Sequence, residues 1–259
     1  MIALVSTAIV FAGLTFAIVN APGWPQVHQA FFNGHRFRAD FPDIAKAFLL
    51  NVKIFAISEA IILPLALFVA VLRSLPGPVF FPIRALAIAY VDIFRGIPTI
   101  LLILLLGFGA PSLNLSWLPA GEVFWATTAL VVVYTAYVSE VYRAGIESVH
   151  PSQEAAARAL GLTRLQGLRY VILPQAVRRV IPPLLNDFIG LQKDTALVSV
   201  LGVIDALHQA DIDSAATFNF TPYVAAAVLF VATTIPLTRL TDWLVSRERA
   251  QRQAAGVAV

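Results

Sequence analysis

The sequence contains no cysteine, which excludes disulfides, thiolate metal sites and thiol redox chemistry on this chain. It is also poor in charge. Its 18 basic and 15 acidic side chains make up 13% of 259 residues, against about 25% in an ordinary soluble domain. Lysine occurs only at 46, 53 and 193, never after a glycine, so no phosphate-binding Gly-x-x-x-x-Gly-Lys-[Ser/Thr] loop is present. Four scattered histidines, at 28, 35, 150 and 208, supply no nucleophile–base pair and no metal constellation.

What remains is apolar: 59% of residues, with a mean hydropathy of +0.80. Crossing a hydrocarbon layer about 30 Å thick takes on the order of 20 residues per helix. The chain is therefore expected to be an all-α integral membrane protein with six transmembrane helices. The spans are read at Met1 to Val19, Ile44 to Leu72, Pro82 to Phe108, Glu122 to Tyr142, Val180 to Ile204 and Pro222 to Val245. Between the first two lies a polar loop, Asn20 to Asp43, whose Phe31, Phe32, Phe37 and Phe41 suit a membrane surface. Asp205, His208, Asp211 and Asp213 read as a solvated face rather than as metal ligands.

Arginine sets the orientation. With the N-terminus inside, Arg36, Arg38 and Lys46 fall outside and Lys53, Arg95 and Lys193 within spans, which leaves twelve of the 18 basic residues on the inner side. An excess of twelve over three predicts N-in, C-in. It also explains the net charge of +3 as a mark of topology and of contact with anionic membrane lipid, not with nucleic acid.

The longest polar stretch, 143–179, reads as helix, break, helix. Pro151 and Ser152 suit a helix start with Ser152 as the cap, and Gly161 suits its end. Thr163 and Gln166 form a capping box for the next helix, which Pro174 is expected to close. The first of these helices is rich in alanine (Ala155, Ala156, Ala157), so another protein can approach its backbone closely. A stiff knob between two spans suits the transmission of force from a soluble partner. From composition alone the segment also reads as an ordinary amphipathic loop.

Spacing narrows the choice. Gly161, nine residues, Val171, one residue, then Leu173-Pro174 resembles the signature loop of the permease subunits of ATP-binding-cassette importers, known by Glu-Ala-Ala, Gly and Leu-Pro. One departure stands out: the position of the family's Glu holds Ala155, and the carboxylate lies one place earlier, at Glu154. That shift turns it by about 100° around the helix. Arg95-Gly96-Ile97-Pro98, Leu173-Pro174-Gln175-Ala176 and Lys193-Asp194-Thr195-Ala196-Leu197 are similar to patterns of the polar amino-acid permeases.

This resemblance implies a type I importer core of five helices over 44–245, with a coupling loop at 143–179 that meets the ATPase through Ser152, Glu154, Ala155, Ala156, Ala157, Gly161, Leu173 and Pro174. Residues 1–43 would add an N-terminal helix and outer loop, and 246–259 a cytoplasmic tail. The resemblance further implies two P-loop ATPase subunits carrying ATP and Mg, a second permease subunit (identical or homologous), an external amino-acid-binding protein, and a place in the bacterial cytoplasmic membrane. No cofactor and no catalytic residue is expected on this chain. The alternative is a secondary amino-acid transporter without an ATPase; it calls for internal repeats, and none is evident.

Glu59, Asp92, Arg95, Asp187, Lys193 and Asp194 fall within spans, where each must face protein, another charge or water. Glu59, Arg95, Lys193 and Asp194 lie nearest mid-depth and are candidates for the substrate pathway. Arg95 suits a clamp on a substrate carboxylate, or equally an ion pair with Asp92 or Glu59. Lys193-Asp194 reads more readily as a hinge or gate. Glu140 is expected to pair with Arg143.

Overall fold

The computed structural model describes residues 2–254 and is helical throughout the elements it contains. In order these are α1 (Ile2–Val19), α2 (Trp24–Phe31), α3 (Gly34–Arg73), α4 (Phe81–Gly96), α5 (Thr99–Ser112) and α6 (Glu122–Glu147). Then come α7 (Pro151–Ala159), α8 (Arg164–Gly167), a π-turn (Leu168–Ile172) and α9 (Leu173–Asp194). A 3₁₀ segment (Thr195–Leu201), α10 (Ala206–Thr217) and α11 (Thr221–Ala254) complete the chain. Met1 and residues 255–259, the ends of the expected first span and tail, lie outside the described residues.

Three helical stretches are each long and apolar enough to cross a membrane, and two bent pairs bring the number to five. The first is α3, whose hydropathic stretch extends back through α2. It starts ten residues before the expected span, because Asn33 caps it: the side-chain oxygen accepts from the amides of His35 and Arg36, at 3.1 Å each. Most of the expected loop 20–43 is thus helix, with Pro42 carried inside α3.

The expected third span is two helices. Ile97 is extended, Pro98 has no N–H to offer the carbonyl of Phe94, and α4 and α5 meet at 104°. Helix α9 also stops short of the expected span end, running into the 3₁₀ segment and then a left-handed Gly202. Beyond it, the stretch read as a solvated loop is α10. Asp205 is fully buried and caps that helix by accepting from His208 N at 2.9 Å. It also accepts from Asn51 Nδ2 at 2.8 Å, while Asn51 Oδ1 takes the amide of Ala206 at 3.1 Å.

At the centre stands α6, packed against α3, α5 and α9. Ile54, Ile62, Leu130, Val133, Leu191 and Val198 are fully buried or nearly so around it. Two glycines set the closest approaches. A Cβ on Gly145 of α6 would lie 2.0 Å from Val180 Cγ2 of α9, and one on Gly107 of α5 would lie 2.3 Å from Leu201 Cδ1. The outer surface is rich in exposed large apolar side chains, including Leu49, Phe68, Leu86, Leu105 and Val231, an arrangement suited to hydrocarbon rather than water.

The two ends of the molecule are tied differently. At one, α2 is bonded to the entry of α11: Phe220 N to Ala30 O at 2.8 Å, Asn219 Nδ2 to Gln29 O at 2.9 Å, and Asn33 N to Thr221 Oγ1 at 3.1 Å. At the other, Arg73 at the end of α3 meets Glu140 of α6 at 2.5 Å, and Arg179 of α9 donates to the carbonyl of Ser148. The 143–179 loop projects from this second end.

Candidate functional site

A cavity of about 400 Å³ opens among α4, α6 and α9. Its walls repeat at helical spacing. Helix α6 supplies Tyr137, Glu140, Val141, Ala144 and Gly145, with Ser148 as its C-cap, and α9 supplies Arg179, Pro183 and Asp187. Arg95 closes one side from the last turn of α4. Because α4 ends at Gly96 and the chain turns away, Arg95 is left exposed at the mouth instead of packed under a further helical turn. Its guanidinium carbon lies 5.5 Å from the centroid of the Tyr137 ring.

No ion pair among the described residues includes Arg95. Neither Asp92 nor Glu59 forms such a pair with it among the described residues; the carboxylate sharing its cavity is Asp187, whose Oδ2 is buried and has no hydrogen-bond partner among the described residues. Glu59, half-buried on α3, lies within Coulombic reach of Asp187 but is not part of the cavity wall. Asp194 stands apart and accepts from Tyr134 O–H at 3.0 Å, and Lys193 is exposed beside it. Of the four pathway candidates, the cavity gathers only Arg95.

Glu140 pairs with Arg143 as expected, and Arg73 joins from α3. Sequence reasoning noted Asp187 without giving it a role, and it missed Tyr137. Their signal was the period of the walls: 179, 183 and 187 on α9, and 137, 141 and 144 on α6 with its cap at 148, each lie three or four residues apart on one face.

The projecting loop matches its reading in outline. Gly161 has φ +79°, a left-handed conformation that favours glycine, and it ends the turn after α7. The Thr163–Gln166 capping box is formed in both directions, with Thr163 N to Gln166 Oε1 at 2.9 Å and Gln166 N to Thr163 Oγ1 at 3.3 Å. Two details differ. The cap of α7 is His150, whose Nδ1 accepts from Ser152 N at 3.2 Å, so Ser152 already lies inside the helix. Pro174 does not close a helix; it occupies the first turn of α9, where a missing N–H is harmless.

Helix α7 lies back on the following segment through the buried Ala157, opposite Gly167, and through a Gln175–Gln153 bond at 3.2 Å. Ala155 and Ala156 face outward, Glu154 pairs with Arg158 one turn on, and Leu173 is exposed. Leu160 is 81% exposed and Leu165 74%, an apolar tip on an otherwise charged knob.

Helices bent around an open cavity that carries Arg95, Glu140, Arg179 and Asp187, with a projecting knob at one end and an apolar outer surface, suit a multi-pass membrane transport subunit. The chain belongs to the family of binding-protein-dependent transport system inner membrane components, whose sequence profile matches residues 62–250. It is 37% identical over 201 residues to the probable glutamine ABC transporter permease protein GlnM of Bacillus subtilis, covering 76% of this chain and 88% of that one. The arginine transport system permease protein ArtQ of the same organism is 32% identical over 199 residues, with the same coverage.

Among solved structures, a crystal structure of an amino acid ABC transporter with histidines superposes with a TM-score of 0.72 at 33% identity, over 80% of this chain and 94% of that one. The inward-facing MetNI methionine ABC transporter, at 20% identity and a TM-score of 0.57, shares the fold. The type I permease fold expected from the loop is thus the fold of this chain.

Proposed function

We propose that this chain is one permease subunit of an importer for polar amino acids, fed by an external binding protein and driven by ATP and Mg on two separate ATPase subunits. The observation that carries the reading is the braced knob of residues 151–174, whose exposed alanine face and apolar tip suit a soluble partner's groove. The names of the glutamine, arginine and histidine-bound relatives support the substrate class. A second permease subunit, identical or homologous, completes the pathway, and no cofactor sits on this chain.

The arginine asymmetry supports N-in, C-in and puts the knob in the cytoplasm of a bacterial cell. Six spans follow if α1 crosses as well. On this reading residues 1–43 are an N-terminal extension, 44–245 the permease core and 246–259 a cytoplasmic tail. When the ATPase pair closes, the knob is displaced and α6 and α9, which flank it, tilt against one another. The cavity between them, with Arg95 as the clamp for the substrate carboxylate, then opens alternately to the two sides. Lys193 and Asp194, at the change from α-helix to 3₁₀, act as a hinge, and Glu59 adds charge to the pathway.

The test is reconstitution of the chain with its ATPase and binding protein in vesicles, screening amino acids for stimulated ATP hydrolysis. Stimulation by polar amino acids, lost on deleting 152–160, is the expected result. Transport that persists without any ATPase would favour the secondary-transporter alternative.

A further inference from the structure

Breaking a helix inside a membrane leaves carbonyls without backbone donors, so a side chain or the water of a cavity must supply them. In a continuous helix the carbonyl of Arg95 would accept from the amide of residue 99. Here α4 ends at Gly96, Ile97 and Pro98 are extended, and α5 leaves at 104°. The Arg95 carbonyl instead accepts from the phenol of Tyr137 on α6, at 3.3 Å. The same Tyr137 ring lies under the Arg95 guanidinium, at 5.5 Å. One side chain therefore grips both ends of Arg95, its backbone and its charge.

The surroundings make the grip selective. Tyr137 is one of the few side chains of its stretch of α6 that is not buried: Ala136, Val138 and Ser139 beside it are. Its neighbour one turn back, Tyr134, is committed to Asp194. Cation–π attraction fixes where the guanidinium sits without using its N–H donors, so these stay free to bind a carboxylate. An ion pair in the same place would have consumed them.

We propose that Tyr137 is a positioning residue for transport, holding Arg95 in register at the broken α4–α5 corner so that its guanidinium meets the substrate. This rests on Arg95 being the carboxylate clamp, as proposed above. Tyr137 then acts through Arg95 and not on the substrate itself.

The experiment is a double-mutant cycle in the reconstituted importer, reading the half-saturating concentration and the maximal rate of amino-acid-stimulated ATP hydrolysis, with thermal unfolding of each purified complex alongside. Tyr137→Leu is expected to raise the half-saturating concentration about fivefold or more. Tyr137→Phe, which keeps the ring and loses the O–H, should raise it by a smaller factor, about threefold. Maximal rate and unfolding temperature should change little. Combined with Arg95→Gln, neither Tyr137 variant should have any further effect.

Additive losses would overturn the proposal while leaving the clamp intact. So would a fall in unfolding temperature and maximal rate with the half-saturating concentration unmoved. If Arg95→Gln itself leaves the half-saturating concentration unchanged, the clamp reading is the part that fails, and the Tyr137 proposal falls with it.

Discussion

At the scale of single residues, the interior of this protein is decided by what is missing from a side chain as much as by what is present. Gly145 has ordinary helical backbone, so its value is not conformational; Val180 of α9 occupies the space its Cβ would need. Small residues at such contacts let helices approach closely where the hydrophobic effect offers no drive between them. Gly145→Ala is expected to destabilise the protein by about 1–3 kcal/mol, the usual effect of overpacking a tight core. Adding Val180→Ala should recover most of that loss, because the offending methyl is removed. Thermal unfolding of the purified single and double variants checks it, and additive losses would show that the clash is not the cause. Gly145 also lines the cavity, at the knob end of α6, so the single variant should weaken ATPase coupling as well. Nothing in the sequence marks this glycine: the steric requirement belongs to a residue 35 positions away.

At the scale of elements, the breaks carry more information than the spans. The positions of the apolar helices were legible because hydropathy acts over twenty residues at a time. Their interruptions were only partly legible. Pro98 stands at one break, inside what reads as a single span, but Pro42, Pro64 and Pro236 lie inside continuous helices, so proline alone does not decide. The turn into α10 was hidden because its determinant is a contact across the fold. Asp205 is held as a cap by Asn51 of α3, which also donates to Thr195 Oγ1 at 3.3 Å. A buried carboxylate needs such donors, and its solvated reading failed because the donor lies 154 positions away. Asn51→Leu would strip Asp205 Oδ2 and the Ala206 amide of their partner in an apolar setting. The expected loss is on the order of 3–5 kcal/mol; adding Asp205→Ser, a neutral cap, should restore part of it. Unfolding and proteolysis after residue 201 are the measurements, with cleavage expected to rise in the single variant and fall again in the double.

At the scale of the whole molecule, α1 is the outlier. Every side chain from Val5 to Val19 is exposed, and α1 is apolar on all sides. A helix that is apolar all round belongs in hydrocarbon or inside a larger assembly. At 18 residues it reaches about 27 Å, close to the thickness of the hydrocarbon layer and enough for a crossing with little tilt. The matched profile begins at residue 62, and the cavity is built wholly from α4, α6 and α9. On the proposed reading, α1 is expected to serve insertion and lateral contact with lipid and not substrate movement. Removing residues 1–22, ahead of α2, should leave the half-saturating concentration for stimulated ATP hydrolysis unchanged while lowering the amount of protein recovered from membranes. Cysteines placed at Ala8 and Ala12 test the same point from the other direction. They should react with lipid-soluble probes and fail to cross-link to a substrate analogue held in the cavity. Cross-linking to the analogue would put α1 on the pathway and require a partner arrangement in which this helix folds back over the mouth beside Arg95.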